Sequence, residues 1–289
     1  MTRLFAISGS VAALAAATLL SGVTASATSG AANAQAAAKP PGYTIVHSAD
    51  LPLPAGMQTM GTVTCPVKKG VQLVPLGGGV LVSVGYTDVN LNSSFASADG
   101  WDVFVNNADS NPDDFYVFAI CADKPSGYQI VSGTTVPVAA GGGADSFLSC
   151  PSGKQVISGG LVNPSGSIDV NMDSSAPAGS TRWYVLLHNE SASPTTFLEY
   201  AVCAKYPTKT KYTIVIGNPV DNPAGTQTVA SLQCPKGLSL LDGGVTANDA
   251  TIQVSLSMEW PATSQTWYVA QNNVSAADAG LTEQVICAA

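Results

Sequence analysis

The sequence predicts an all-β protein of three tandem antiparallel β-sandwich repeats, each stapled by its own disulfide. Three observations predict this. One set of short motifs occurs three times along the chain, and the six cysteines fall two to each copy. Apolar residues alternate over short runs punctuated by Gly and Pro, and no helical period is sustained for three turns.

The repeat can be followed residue by residue. Tyr-x-Ile-Val begins at Tyr43, Tyr128 and Tyr212. Ala-Gly follows at Ala55, Ala140 and Ala224. Cys-Pro stands at Cys65, Cys150 and Cys234, 22 residues after the Tyr in every copy. A glycine pair comes next, read as Gly77-Gly78, Gly159-Gly160 and Gly243-Gly244. Then come Trp101, Trp183 and Trp267. Asn107, Asn189 and Asn273 stand six residues beyond each Trp, and Cys121, Cys203 and Cys287 stand 20 beyond. The repeats span 43–122, 128–204 and 212–289. Copy one carries three extra residues between Cys65 and Gly77.

A unit of about 80 residues has a modest core, and small exported domains usually add staples. Six cysteines permit 15 pairings. Pairing within copies uses each copy alike, so the expected bridges are Cys65–Cys121, Cys150–Cys203 and Cys234–Cys287. Each would contribute about 4 kcal/mol in the chain-entropy picture.

In copy two the strand candidates are 128–132, 145–150, 155–161, 168–173, 182–188 and 197–204. Alternation is clearest from Ile168 to Asp173, where Val170 and Met172 should face inward and the polar residues outward. Linkers 122–127 and 204–211 are short, so beads in a row compete with one pseudo-threefold body.

Residues 1–27 read as a secretory signal. Arg3 precedes the apolar run Val11–Leu20, and Ala25-Ser26-Ala27 offers a small-residue cleavage site. Residues 28–42 read as a flexible leader. The expected product is secreted and extracellular, with no membrane span. An even cysteine count in an exported chain favours disulfides. With 11 basic against 19 acidic side chains, a net charge of −8 disfavours nucleic-acid binding.

The residues that could carry chemistry do not recur. His47 and His188 stand at unlike places in their copies, and no G-x-S-x-G elbow is present. The four glutamates, Glu190, Glu199, Glu259 and Glu283, read as solvated strand positions. Asp88-x-Asn90-x-Asn92 and Asp169-x-Asn171-x-Asp173 place oxygens on alternate residues, as a calcium loop does. The glycine turn and closing Glu of such a loop are missing, and alternate side chains on a strand lie about 7 Å apart. The reading is a polar sheet face. No catalytic residue, metal or cofactor is expected.

Binding is the better expectation. Trp101, Trp183 and Trp267 read as core, because Val103, Val185 and Val269 follow on the same strand face. Tyr184, Tyr268 and Asp102 face the other way and are the ligand candidates, joined by Asn107, Asn189 and Asn273 at the following turns. Trp260 precedes Pro261 and reads as an exposed loop aromatic.

The Cys-Pro … Gly-Gly … Trp … Asn … Cys-Ala unit resembles a repeat of exported proteins in high-GC Gram-positive bacteria, over residues 43–289. Its size and threefold theme are similar to those of the H-type lectins at the level of fold. The expected function is a secreted, non-catalytic, multivalent lectin-like protein whose partner is an extracellular glycan or other cell-surface component. A structural or adaptor subunit with a secreted protein partner is the alternative, and an extracellular hydrolase comes third.

Overall fold

The computed structural model describes residues 39–84, 86–206, 212–248 and 251–289. The signal segment 1–27 and residues 28–38 of the leader lie outside the described residues. Repeat one forms β1 (Thr44–His47), β2 (Leu51–Leu53), β3 (Met57–Thr64), β4 (Val67–Lys68), β5 (Val71–Gln72), β6 (Val74–Val82), β7 (Val89–Ala96), β8 (Gly100–Asn107) and β9 (Asp113–Ala122). Repeat two forms β10 (Gln129–Ser132), β11 (Val136–Val138), β12 (Gly142–Ser149), β13 (Gln155–Val162), β14 (Val170–Pro177), β15 (Arg182–Asn189) and β16 (Thr195–Ala204). Repeat three forms β17 (Tyr212–Ile216), β18 (Val220–Asn222), β19 (Thr226–Gln233), β20 (Ser239–Ala247), β21 (Val254–Pro261), β22 (Thr266–Asn273) and β23 (Ala279–Ala288). The extra residues of copy one fall in the small hairpin β4–β5. It turns through Lys69 and Gly70, both at positive φ, as a tight hairpin requires.

Sheets are shared between repeats. The first runs β1-β9-β6-β21-β22-β19, the second β10-β16-β13-β7-β8-β3, and the third β12-β15-β14-β20-β23-β17. The short strands β2, β11 and β18 lie beside the last long strand of their own repeats. Each repeat therefore gives four strands to one sheet and three to another. Repeat one joins two, two joins three, and three joins one, so the exchange closes into a pseudo-threefold ring. One compact unit takes in all three repeats.

Within a repeat the two strand groups face each other as a sandwich around its Trp. Trp101, Trp183 and Trp267 are buried, with Val103, Val185 and Val269 beside them. The glycine pair serves both joints. A Cβ on Gly78, Gly159 or Gly243 would collide with the Trp ring of its own repeat. One on Gly79, Gly160 or Gly244 would collide with the carbonyl of Glu259, Ser94 or Ser175 in the neighbouring repeat, where two groups join into one sheet. In copy one the equivalent pair is therefore Gly78-Gly79, one residue later than the sequence reading. Gly77 is needed for another reason, since a Cβ there would strike the Asp242 carboxyl.

The disulfides are Cys65–Cys121, Cys150–Cys203 and Cys234–Cys287, all within repeats. In each, one Cys follows the edge strand of the three-strand group and the other lies in the last strand of the four-strand group. Every bridge thus ties two different sheets together. No free cysteine is present among the described residues.

Polar side chains stitch the ring. The Tyr43, Tyr128 and Tyr212 hydroxyls donate to the carbonyls of Leu240, Pro75 and Val156 in the preceding repeat of the ring, at 2.8, 2.7 and 2.6 Å. Asn106 Nδ2 donates to Val170 O at 2.9 Å, and Asn272 Nδ2 to Val89 O at 3.0 Å. His188 Nδ1 lies 3.2 Å from Val254 O at the matching place.

The polar sides of β7, β14 and β21 face the pseudo-threefold axis rather than solvent. Asn92, Asp173 and Ser257 are 0%, 0% and 1% exposed, where outward-facing residues were expected. Each sits at a β-bulge; Asn92 and Ser257 replace water by donating to Val170 O and Val89 O of other copies, and the Asp173 carboxyl accepts from Ser174 Oγ beside it. Three of the four glutamates are also buried: Glu199, Glu259 and Glu283 are 4%, 3% and 4% exposed. No helix among the described residues is long and apolar enough to cross a membrane.

Candidate functional site

Outward-facing residues that lie opposite one another across neighbouring strands form one row on each sheet. Each row crosses its sheet at the glycine of the inter-repeat joint. On the third sheet the order is Ile216, Gln284, Gly244, Ala176, Tyr184 and Phe147. On the second it is Ser132, Tyr200, Gly160, Phe95, Asp102 and Thr62. On the first, His47 and Phe118 approach Gly79 from one side, and Trp260, Tyr268 and Ser231 approach from the other.

What fills the middle of the row differs. On the second sheet the Phe95 and Tyr200 rings stack over the glycine, their centroids 5.2 Å apart. On the first, Trp260 stacks on Tyr268 at 5.0 Å with planes 20° apart. On the third sheet the two middle residues are Gly244 and Ala176, which are buried and carry no ring. A hollow of about 360 Å³ remains, lined by Tyr184, Phe147, Asp145, Thr246 and Gln284. A second hollow adjoins it on the far side of Tyr184 and Asp145.

The aromatic wall is held in place. Phe147 and Tyr184 are opposite one another in register, with ring centroids 4.8 Å apart. The Arg182 guanidinium lies 5.1 Å from the Phe147 centroid. Phe147 is nonetheless 48% exposed, an unusual position for a phenylalanine. Burial, with the nearby Asp145 and Asp173 charges, pushes the Tyr184 phenol up to about 12. The phenol is therefore a neutral hydrogen-bond donor at any physiological pH. The hollow joins an aromatic face, a carboxylate, an amide and a hydroxyl, which together can stack on one side of a ring and bond polar groups on its edge.

Tyr184 and Tyr268 lie half-buried on outer sheet faces, as the sequence reading had them, and Asp102 shares a row with Phe95. Trp260 is not a loop residue. It is half-buried within β21, and the strand continues to Pro261 because Trp260 packs on Tyr268. Asn107, Asn189 and Asn273 are 0% exposed and do not face a ligand. Their amides hold the turns: Asn107 donates to Leu53 O and Asn111 O, Asn189 to Ala139 O and Ser193 O, and Asn273 to Asn222 O and Ala277 O. Phe147, Asp145 and Gln284 escape a reading of single copies, because the hollow is shared by repeats two and three.

The chain matches no protein-family model, and no curated protein matches it.

Proposed function

We propose that the protein is a secreted, non-catalytic binding protein that takes a carbohydrate on the outer face of its third sheet. One observation carries the reading: the hollow walled by Tyr184 and Phe147 and bordered by Asp145, Thr246 and Gln284. A sugar ring lays its apolar face on an aromatic side chain, while its hydroxyls bond carboxylates and amides. Three disulfides fit a chain that matures in an oxidising compartment. The rings that close the other two rows leave the sites unequal, so the multivalent form of the expectation narrows to one principal site per chain.

A glycan array probed with the protein, followed by calorimetry on the best hit, tests the reading. Tyr184→Ala should weaken binding by at least about tenfold, equivalent to about 1.4 kcal/mol. Asp102→Ala, on the second sheet, should leave it unchanged. Glycan binding indifferent to Tyr184→Ala, or absence of glycan binding with co-purification of a protein partner, would overturn it.

A further inference from the structure

A second cavity opens on the pseudo-threefold axis and shares no lining residue with the Tyr184 hollow. It measures about 390 Å³ and is lined equally by the three repeats. The first residues of the Asp-x-Asn stretches meet here. Asp88 and Asp169 stand on the rim, with Gln253 at the third equivalent place and Glu190 beside Asp169. The turns that hold them match, since Ala108, Glu190 and Val274 donate their N–H groups to Asp88 O, Asp169 O and Gln253 O at 2.9, 2.9 and 3.0 Å. Alternate residues along one strand are too far apart to share a ligand, but equivalent residues of three copies converge on the axis.

Beneath the rim the lining is polar and buried. Asn90 is 9% exposed and Asn171 is 5% exposed; each accepts an amide hydrogen from the next copy around the ring, from Asn272 at 2.8 Å and Asn106 at 2.9 Å. Ser255 takes the third equivalent place. It is 5% exposed, lines the cavity, and its hydroxyl has no hydrogen-bond partner among the described residues. The hydroxyl opens into the cavity, where a ligand atom or water can bond it. No Lys, Arg or His lines the cavity. Burial and the Asp169 charge raise the Glu190 carboxyl above its ordinary value, so the rim carries a repulsion that a positive ligand would relieve.

We propose that the axial cavity binds a small organic ligand through a protonated primary amine, held by the neighbouring Asp169 and Glu190 carboxylates, with the Asp88 charge across the rim adding attraction and Ser255 bonding a second polar group. Among the described residues no three acidic, His or Cys side chains stand close enough to coordinate one bare metal ion. The volume is that of a small-molecule site rather than an ion site. Amino sugars and aliphatic polyamines both supply the ammonium group.

The test is calorimetry on the full chain with glucosamine, N-acetylglucosamine, putrescine and calcium. Saturable binding of glucosamine or putrescine is expected, and which of them binds identifies the source of the amine. N-acetylglucosamine, with the ring and no charge, should bind at least about tenfold more weakly than glucosamine where glucosamine binds. Asp169→Asn with Glu190→Gln should abolish amine binding, and Asp88→Asn should weaken it. All three are rim positions whose substitution should leave the melting temperature unchanged. Tyr184→Ala should leave amine binding intact, which separates this site from the carbohydrate hollow. Equal affinity for both sugars, retention of amine binding in the rim variants, or binding of calcium alone would overturn the proposal, as would no binding by any amine probe.

Discussion

At the residue scale, the third repeat departs from the other two at one buried position. Trp101 Nε1 and Trp183 Nε1 each donate to a serine, Ser94 Oγ and Ser175 Oγ, both at 3.0 Å. Glu259 stands at the matching place in repeat three, and Trp267 Nε1 has no partner among the described residues. The Glu259 side chain bonds Ser94 instead and lies near the Asp242 carboxyl, which accepts N–H bonds from Gly78, Gly159 and Gly243, one from each repeat. Burial pushes Glu259 up to about 8, and burial with the Glu259 charge raises Asp242. The sign follows from linkage. Both groups are neutral in the folded and unfolded states below the ordinary carboxylate range, so their stability contribution is complete there. It declines as pH rises from about 4.5, where the unfolded chain ionises, to about 8, where folded Glu259 does. The protein should therefore melt at a higher temperature near pH 4.5 than near pH 8. Glu259→Gln should flatten that slope in a series of thermal melts. A wild-type stability that rises from pH 4.5 to pH 8 would contradict this account.

At the scale of elements, repeat two makes a coordinated exchange. Repeats one and three pair a glutamine with an asparagine across β3–β8 and β19–β22. Gln58 Nε2 donates to Asn106 Oδ1, and Gln227 Nε2 to Asn272 Oδ1, both at 2.9 Å. The same pair in β12–β15 is Gly143 and His188. A Cβ on Gly143 would come within 2.7 Å of the His188 ring, so the imidazole occupies the glutamine's space. Gly143→Ala should lower stability by about 1–3 kcal/mol in urea unfolding. Adding His188→Asn should recover part of that loss, with a coupling above about 0.5 kcal/mol. Strictly additive effects would sink the explanation. His188 also lies 3.7 Å from Asp173, so His188→Asn alone should not be neutral. These elements also show where sequence reading succeeds and stops. The Trp-x-Val pattern identified the core side of β8, β15 and β22, because burial inside one repeat leaves a period of two. The reading of β14 began at Ile168 and stopped at Asp173, whereas the strand runs Val170–Pro177. Its polar side is buried against the other copies, so polarity gave no sign of burial. The bulge at Asp173 also breaks the alternation. β11 is only three residues long, too short for alternation to mark it.

At the scale of the whole molecule, the triplicated sequence does not give three independent domains. Each repeat's two inner strands hydrogen-bond to strands of different neighbours, as β13 does to β7 and β14 to β20. A single repeat cut out of the chain would expose two joint edges and the polar side of its axial strand. The disulfides follow the same logic: Cys150–Cys203 spans 53 residues and ties the second sheet to the third, so its loss is felt across a joint rather than within one bead. Cys150→Ala with Cys203→Ala should therefore lower the melting temperature of the entire body by an amount equivalent to about 4 kcal/mol. Calorimetry should still show a single cooperative transition in that variant, with the environments of Trp101, Trp183 and Trp267 lost together. A repeat-two transition splitting away from the other two would mean that the shared sheets do not couple the repeats. The pseudo-threefold ring would then be three domains in contact rather than one folding unit.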